Sequence, residues 1–395
     1  MNIQRQLQKF YAFGLFSCLR IPDAVWVVLL TARGFPLWQV GLAEGVFHLV
    51  SLLAEIPSGM AADLMGRRRS LAAAGLCGLI SALLMAFSAT FFGVCLSMAF
   101  SALACSLISG SDEALLYDSL LQAGRQEDYI PVNARYAQVQ NLGSILSNAA
   151  SLLAGVLSYV GFYLLDAAVC LVRALTAWSL TEPVVTKTQA SRQEHPFRDL
   201  GNRFRVHVTQ AASFLRASPR SALLMGAGAL VDLPGFLTLM FLQQTLNDRG
   251  LSPMWLGLPI MAISLARMAG AALGRRVRPK GLRPLFALSA LTVGLGTMTA
   301  GGAPMVPAVL GAMTAAGAME VWRLHLQNRL NGLFPSDQRA TLVSVDAMAY
   351  SLLMIPASPL VGWLGDIGPT AGTGLMVLGL LVAAAGLAAL RIKSR

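Results

Sequence analysis

Arg20 and Asp23, Asp112 and Glu113, Asp232, and Glu320 with Arg323 stand inside stretches of sequence that are otherwise apolar. An ionisable side chain in hydrocarbon costs roughly 2.5–3.5 kcal/mol on insertion scales, so it persists where it faces protein or a water-filled path. Two kinds of chemistry suit such groups. A carboxylate can take up and release a proton, and either charge can hold a solute of opposite charge. Arg20 and Asp23 are three residues apart, as are Glu320 and Arg323, so on a helix each pair shares a face and can form an ion pair. Such a pair is either a self-neutralising structural bridge or a gate that opens when a substrate or a proton arrives. Asp112 and Glu113 are adjacent, so they point about 100° apart and cannot both face one path squarely. Two carboxylates this close raise each other's proton affinity, which suits proton carriage near neutral pH. The alternative is that one of them pairs with an arginine such as Arg173.

Other polar residues in apolar runs are fewer and more ambiguous. Glu44, His48 and Glu55 are spaced by four and seven residues, which places them on one helix face; His48 is either a proton relay or a hydrogen-bonded packing residue. Asp166 and Arg173 also share a face. Asp232 precedes Pro234-Gly235, and a proline there predicts a kink. The histidines His48, His195, His207 and His325 are scattered, so no catalytic or metal site is expected and the chain is read as not an enzyme. There is no G-x-x-x-x-G-K-[ST] to bind a nucleotide, and no pore loop or ring of charge to make a channel. No cofactor is expected. The cysteines Cys18, Cys77, Cys95, Cys105 and Cys170 fall within apolar runs without metal-ligand spacing, and are read as small packing residues.

The elements that position these groups follow from composition. Of 395 residues, 55% are apolar and 12% charged, with a mean hydropathy of +0.62; soluble domains carry about twice that share of charge. The apolar residues form continuous runs of roughly 20, the length that crosses a bilayer core, and the runs are apolar all round rather than striped. They fall at 10–32, 38–60, 71–91, 93–120, 136–158, 160–181, 219–246, 252–274, 283–300, 304–330, 340–363 and 369–391. This predicts an all-α integral membrane protein of twelve transmembrane helices. The first run lacks a small-residue cleavage site and reads as a retained span. The longest polar stretch, basic residues 182–218, divides a six-helix bundle at 1–181 from a second at 219–395.

The net charge of +11 does not signal nucleic acid, because the cations sit in particular loops. One alternating set holds Arg5 and Lys9, Arg67–Arg69, Arg125, the central stretch, Arg275–Arg283, Arg339 and the C-terminal Arg391, Lys393 and Arg395. The other holds Arg33, Arg249 with Asp248, and Asp366. The positive-inside rule assigns the first set, and both termini, to the cytoplasm.

One junction between spans is distinctive. Gly59-Met60-Ala61-Ala62-Asp63-Leu64-Met65-Gly66-Arg67-Arg68-Arg69 joins the second and third runs, preceded by Glu55-Ile56-Pro57-Ser58. Gly59 would let two helices approach, Gly66 would permit a tight turn, and Asp63 stands where a helix leaves the membrane. The spacing G-x-x-x-D-x-x-G-R-R resembles the loop between helices 2 and 3 of the major facilitator superfamily of transporters. A worn copy without the acid, Gly270-Ala271-Ala272-Leu273-Gly274-Arg275-Arg276, joins the eighth and ninth runs, which suggests duplication and two pseudo-symmetric halves that rock about a central site.

That resemblance implies that spans 1, 4, 7 and 10 line a central cavity. Those spans carry Arg20, Asp23, Asp112, Glu113, Asp232, Glu320 and Arg323, whereas spans 3, 9 and 12 carry no internal charge. It also implies a cytoplasmic latch of Gly59, Asp63, Gly66, Arg67, Arg68 and Asp118, with Asp118 paired to an arginine and Asp63 at the start of span 11 near Arg339. The subtype it most resembles is the bacterial drug/proton antiporters of the cytoplasmic (inner) membrane. Span 4 here offers Ser111-Asp112-Glu113 in place of an Arg-x-x-Gln-Gly-type sequence, and span 5 lacks their proline. The first reading is therefore a monomeric, proton-coupled exporter of small amphipathic or cationic compounds, drawing on the proton gradient, with the lipid bilayer and protons as its other partners. The alternatives are a secondary transporter of one defined metabolite, anionic if Arg20, Arg173, Arg267 or Arg323 is its ligand, and a non-transporting membrane sensor.

Overall fold

A computed structural model of the chain describes residues 2–183, 218–333 and 339–391, together with positions 205, 209 and 216. Among them the elements are helices: α1 (Ile3–Cys18), α2 (Trp26–Thr31), α3 (Leu37–Met65), α4 (Arg67–Phe87), α5 (Phe91–Ile108), α6 (Ser111–Gln122), α7 (Tyr129–Ala149) and α8 (Tyr159–Ser179), then α9 (Pro219–Asp248), α10 (Gly257–Gly274), α11 (Leu282–Gly302), α12 (Met305–Leu333), α13 (Arg339–Ile367) and α14 (Thr373–Arg391). Ten stretches among the described residues are long and apolar enough to cross a membrane, with α5 and α6 counted as one. The other two expected spans fall on α1 with α2, and on α7 with the 3-10 turn Ala150–Gly155.

Both exceptions have local causes. The first span breaks because Pro22 has no N–H to donate to the carbonyl of Cys18, and its ring clashes with that carbonyl; α1 stops at Cys18 and helix resumes at Trp26. Arg20 and Asp23 therefore lie in the break, not on a shared helix face as their spacing suggested. The helix α7 begins seven residues before the apolar run and carries Asn133, Arg135, Gln138, Gln140 and Asn141, which lowers its apolarity. The fourth span is also divided: Gly110 takes a left-handed conformation, φ +70°, and separates α5 from α6.

The chain forms two compact units, residues 1–23 with 49–208, and residues 24–48 with 209–395. The division cuts α3, whose first part belongs to the second unit. Each unit is built on the same pairing. In the first, α4 packs on α8 and α5; in the second, α11 packs on α14 and α12. Small residues make these contacts close. A Cβ on Gly75 would overlap the backbone of Ala174, and one on Gly294 would overlap that of Ala383, as expected where helices associate through backbone proximity in lipid. The apolar core of the first unit gathers Phe10, Phe13, Leu71, Leu115, Leu116 and Leu120 around Tyr136.

Candidate functional site

In the first unit the helix break exposes polar backbone that must be satisfied within the protein. The Ile21 N–H donates to Asp166 Oδ1 at 2.9 Å. The Arg20 N–H donates to Ser147 Oγ at 3.3 Å, and that hydroxyl donates to the Arg20 carbonyl at 2.5 Å. Held this way, Arg20 remains exposed and donates from Nη2 to Ser101 Oγ at 3.0 Å, with Asp23 and Asp166 within electrostatic reach. Arg173, by contrast, is buried, and its Nη2 donates to the Ala74 carbonyl at 3.3 Å. Gly78 makes room for that guanidinium, which a Cβ there would overlap.

Asp112 and Glu113 diverge. Asp112 is buried; its Oδ2 accepts from the Tyr136 hydroxyl at 3.1 Å and its Oδ1 from the Glu113 N–H at 2.9 Å. Glu113 is exposed. Gly14 leaves the space that the Tyr136 ring fills.

The junction after α3 is organised by two carboxylates. Arg67 Nη1 lies 2.5 Å from Asp118 Oδ2, both half-buried. The N–H groups of Arg67 and Arg68 donate to Glu182 at 3.0 and 2.7 Å, so Glu182 sits where the dipole of α4 favours an anion. Gly66 enters that turn at φ +98°, and a Cβ on it would press against the Glu182 carboxylate. Arg68 lies over the Trp178 ring at 5.0 Å. Sequence reasoning passed over Glu182; the signal available was a lone acid directly after the sixth apolar run. Gly59 is exposed, and nothing among the described residues lies within 4 Å of a Cβ built on it. Among the described residues a close helix approach is seen at Gly75, against Ala174. The expected seat of Asp63 beside Arg339 involves side chains that lie outside the described residues.

In the second unit, five charged side chains from four helices gather. Arg267 on α10 donates from Nη2 to Glu320 Oε1 at 3.2 Å. Glu320 is thus bonded to Arg267, and its sequence neighbour Arg323 is instead within electrostatic reach of Asp232 on α9 and Asp346 on α13. Asp232 Oδ1 is buried without a hydrogen-bond partner among the described residues. The helix carrying Asp232 continues through Pro234 to Asp248.

Long apolar helices in two units with the same internal pairing, and ionisable residues at helix breaks, define a multi-pass membrane transporter fold. The chain belongs to the Major Facilitator Superfamily, whose family profile matches residues 12–352; its members are transporters, not enzymes. The uncharacterized MFS-type transporter YxaM of Bacillus subtilis (strain 168) is 31% identical over 106 residues, 26% of this chain and 27% of that protein. The match thus spans about a quarter of that relative. The nucleoside transporter NupG superposes with a TM-score of 0.75 at 17% identity over 100% of both chains. A D-xylose-proton symporter superposes with a TM-score of 0.73 at 12% identity, over 98% of this chain and 97% of that one. These identities speak for the fold.

Proposed function

We propose that this chain is a secondary active transporter that exports small amphipathic or cationic compounds in exchange for protons by alternating access. The observation that carries the reading is the charge balance in the second unit. Asp232, Glu320 and Asp346 face two guanidiniums, Arg267 and Arg323. One carboxylate is left over, and Asp232 offers a buried oxygen with no hydrogen-bond partner among the described residues. A surplus carboxylate in a low-dielectric site is neutralised by a proton or by a cation, one at a time, which is the requirement for exchange. Asp112 and Glu113 are further proton-handling candidates. The cytoplasmic latch of Gly59, Asp63, Gly66, Arg67, Arg68 and Asp118, six-span halves at 1–181 and 219–395, a monomer, and a bacterial cytoplasmic membrane with both termini inside belong to the same proposal.

A second reading rests on Arg20. It lies at a helix break, with Nη2 donating to Ser101 Oγ, an arrangement that suits binding of one defined anionic metabolite. Proteoliposomes with an imposed pH gradient separate the two. Gradient-driven movement of a lipophilic cationic dye, lost in Asp232→Asn, supports exchange. Movement of a single anionic metabolite that depends on Arg20 supports the second reading.

A further inference from the structure

The two copies of the junction motif meet different surroundings. At the first, Asp118 pairs with Arg67, and Glu182 accepts from the N–H groups of Arg67 and Arg68. At the second, the loop between α10 and α11 carries Arg275, Arg276, Arg278 and Lys280, all exposed, and no acid occurs from Arg275 to Met319. Glu320, the next acid along the chain, is bonded to Arg267. Among the described residues no hydrogen bond or ion pair engages these four side chains. Arg283 differs, because its Nε and Nη2 donate to the Ala389 carbonyl at 3.0 and 2.9 Å. A fifth cation reaches the loop from α12. His325 Nε2 lies 3.1 Å from the Gly274 carbonyl at the end of α10, and Arg329, four residues on, shares that helix face. Arg329 is exposed, and with Pro279, Gly281 and Leu282 it lines a concavity of about 360 Å³. Small-molecule sites span roughly 300–1,000 Å³.

This concavity stands at the edge of the apolar layer. The spanning stretch of α10 ends at Gly274, that of α11 begins at Leu282 and that of α12 ends at Leu330, so the five cations lie at headgroup level. The stretch that includes α10 is the least covered of the ten, 22% buried, and Leu265, Met268 and Leu273 on it are exposed. A ligand that suits both surfaces joins an anion to long apolar chains. We propose that the concavity beneath the α10–α11 loop binds an anionic phospholipid, whose phosphate supplies the negative charge that Asp118 and Glu182 supply at the first junction. Guanidiniums hold a phosphate through charge-assisted N–H donors, which Arg329 and the loop arginines offer. The acyl chains cover the exposed apolar residues of α10. A zwitterionic headgroup brings its own cation beside the phosphate, and so offers less to a cluster that has no acid of its own. A soluble anion lacks the chains. The site does not involve Asp232 or Glu320, so it stands whichever solute the protein moves.

The test is thermal unfolding of the purified full chain in a neutral detergent, titrated with phosphatidylglycerol, with phosphatidylcholine, or with inorganic phosphate. A ligand that binds the folded state raises its unfolding temperature. Phosphatidylglycerol should do so saturably, and the other two should not at the same concentrations. In Arg329→Gln the half-saturating concentration should rise by about tenfold, the effect of losing one charged hydrogen-bond donor. Arg278→Gln combined with Lys280→Gln should raise it as well. Arg125→Gln, which removes an exposed cation paired with Asp128 in the first unit, should leave it unchanged. The substituted side chains of the second unit are exposed; if Arg329→Gln nevertheless fails to fold, the Arg278/Lys280 variant decides. No stabilisation by phosphatidylglycerol overturns the proposal, as does undiminished affinity in the variants. Equal stabilisation by phosphatidylcholine would mean general solvation by lipid, and equal stabilisation by inorganic phosphate would mean a soluble anion; either overturns it. An equal loss in Arg125→Gln would mean diffuse attraction by net charge, and overturns the site too.

Discussion

Asp366 caps the helix that begins at Leu37. Its Oδ1 accepts from the Leu37 N–H at 2.9 Å and its Oδ2 from the Trp38 N–H at 2.8 Å. The first amides of a helix have no internal partner, and the residues before α3, Phe35-Pro36, have no side chain able to accept from them. The carboxylate at the far end of α13 supplies what the local sequence lacks, and its charge suits the positive end of the α3 dipole. Asp366→Ala should cost about 0.5–2 kcal/mol, the usual range for a lost cap, with Asp366→Asn milder because an amide oxygen still accepts. Thermal unfolding in detergent reads the loss, and faster exchange confined to residues 37–40 locates it.

The Arg67–Asp118 pair should behave as a coupled unit. Its side chains are 20% and 14% exposed, so removing either takes a close opposite charge from the other. Arg67→Ala and Asp118→Ala should each lower stability by about 1.5–3 kcal/mol. The double variant should cost little more than either, giving a coupling of roughly 0.5–3 kcal/mol in a double-mutant cycle. Strict additivity would mean that the two side chains do not depend on each other.

Two glycines of the first unit predict opposite outcomes. A Cβ at Gly75 meets the backbone of Ala174, which has no rotamer to yield, so Gly75→Ala should destabilise by about 1–3 kcal/mol through overpacking. Gly59 is helical, with open space among the described residues. Gly59→Ala should therefore be neutral or gain up to about 1 kcal/mol from helix propensity. Melting temperatures of the two purified variants, measured side by side, make the comparison.

Much of the architecture was legible in residue types because lipid is a demanding solvent. A run of roughly 20 apolar residues has few alternatives to a spanning helix, and the G-x-x-x-D-x-x-G-R-R spacing carried the family. Helix breaks were harder. Pro22 and Gly110 interrupt helices inside apolar runs long enough to read as single spans, so a count of apolar residues passes over both. Spacing arguments also assume an unbroken helix. That assumption holds for Glu44 and His48, which do pair; it misplaced Arg20 and Asp23, and it suggested Glu320 with Arg323 where the bonded partner is Arg267 from another helix. Asp366 and Glu182 gain their roles from residues far away in sequence, which periodicity cannot see.

The central claim is that a proton and a cationic compound compete for the surplus carboxylate of the second unit, and Asp232 is its predicted holder. The most direct measurement is proton release from the purified, weakly buffered protein when a lipophilic cationic dye is added. The account predicts acidification that saturates with dye binding and disappears in Asp232→Asn, while that variant keeps its wild-type unfolding profile. Dye binding with no proton released, or equal release from Asp232→Asn, would contradict it.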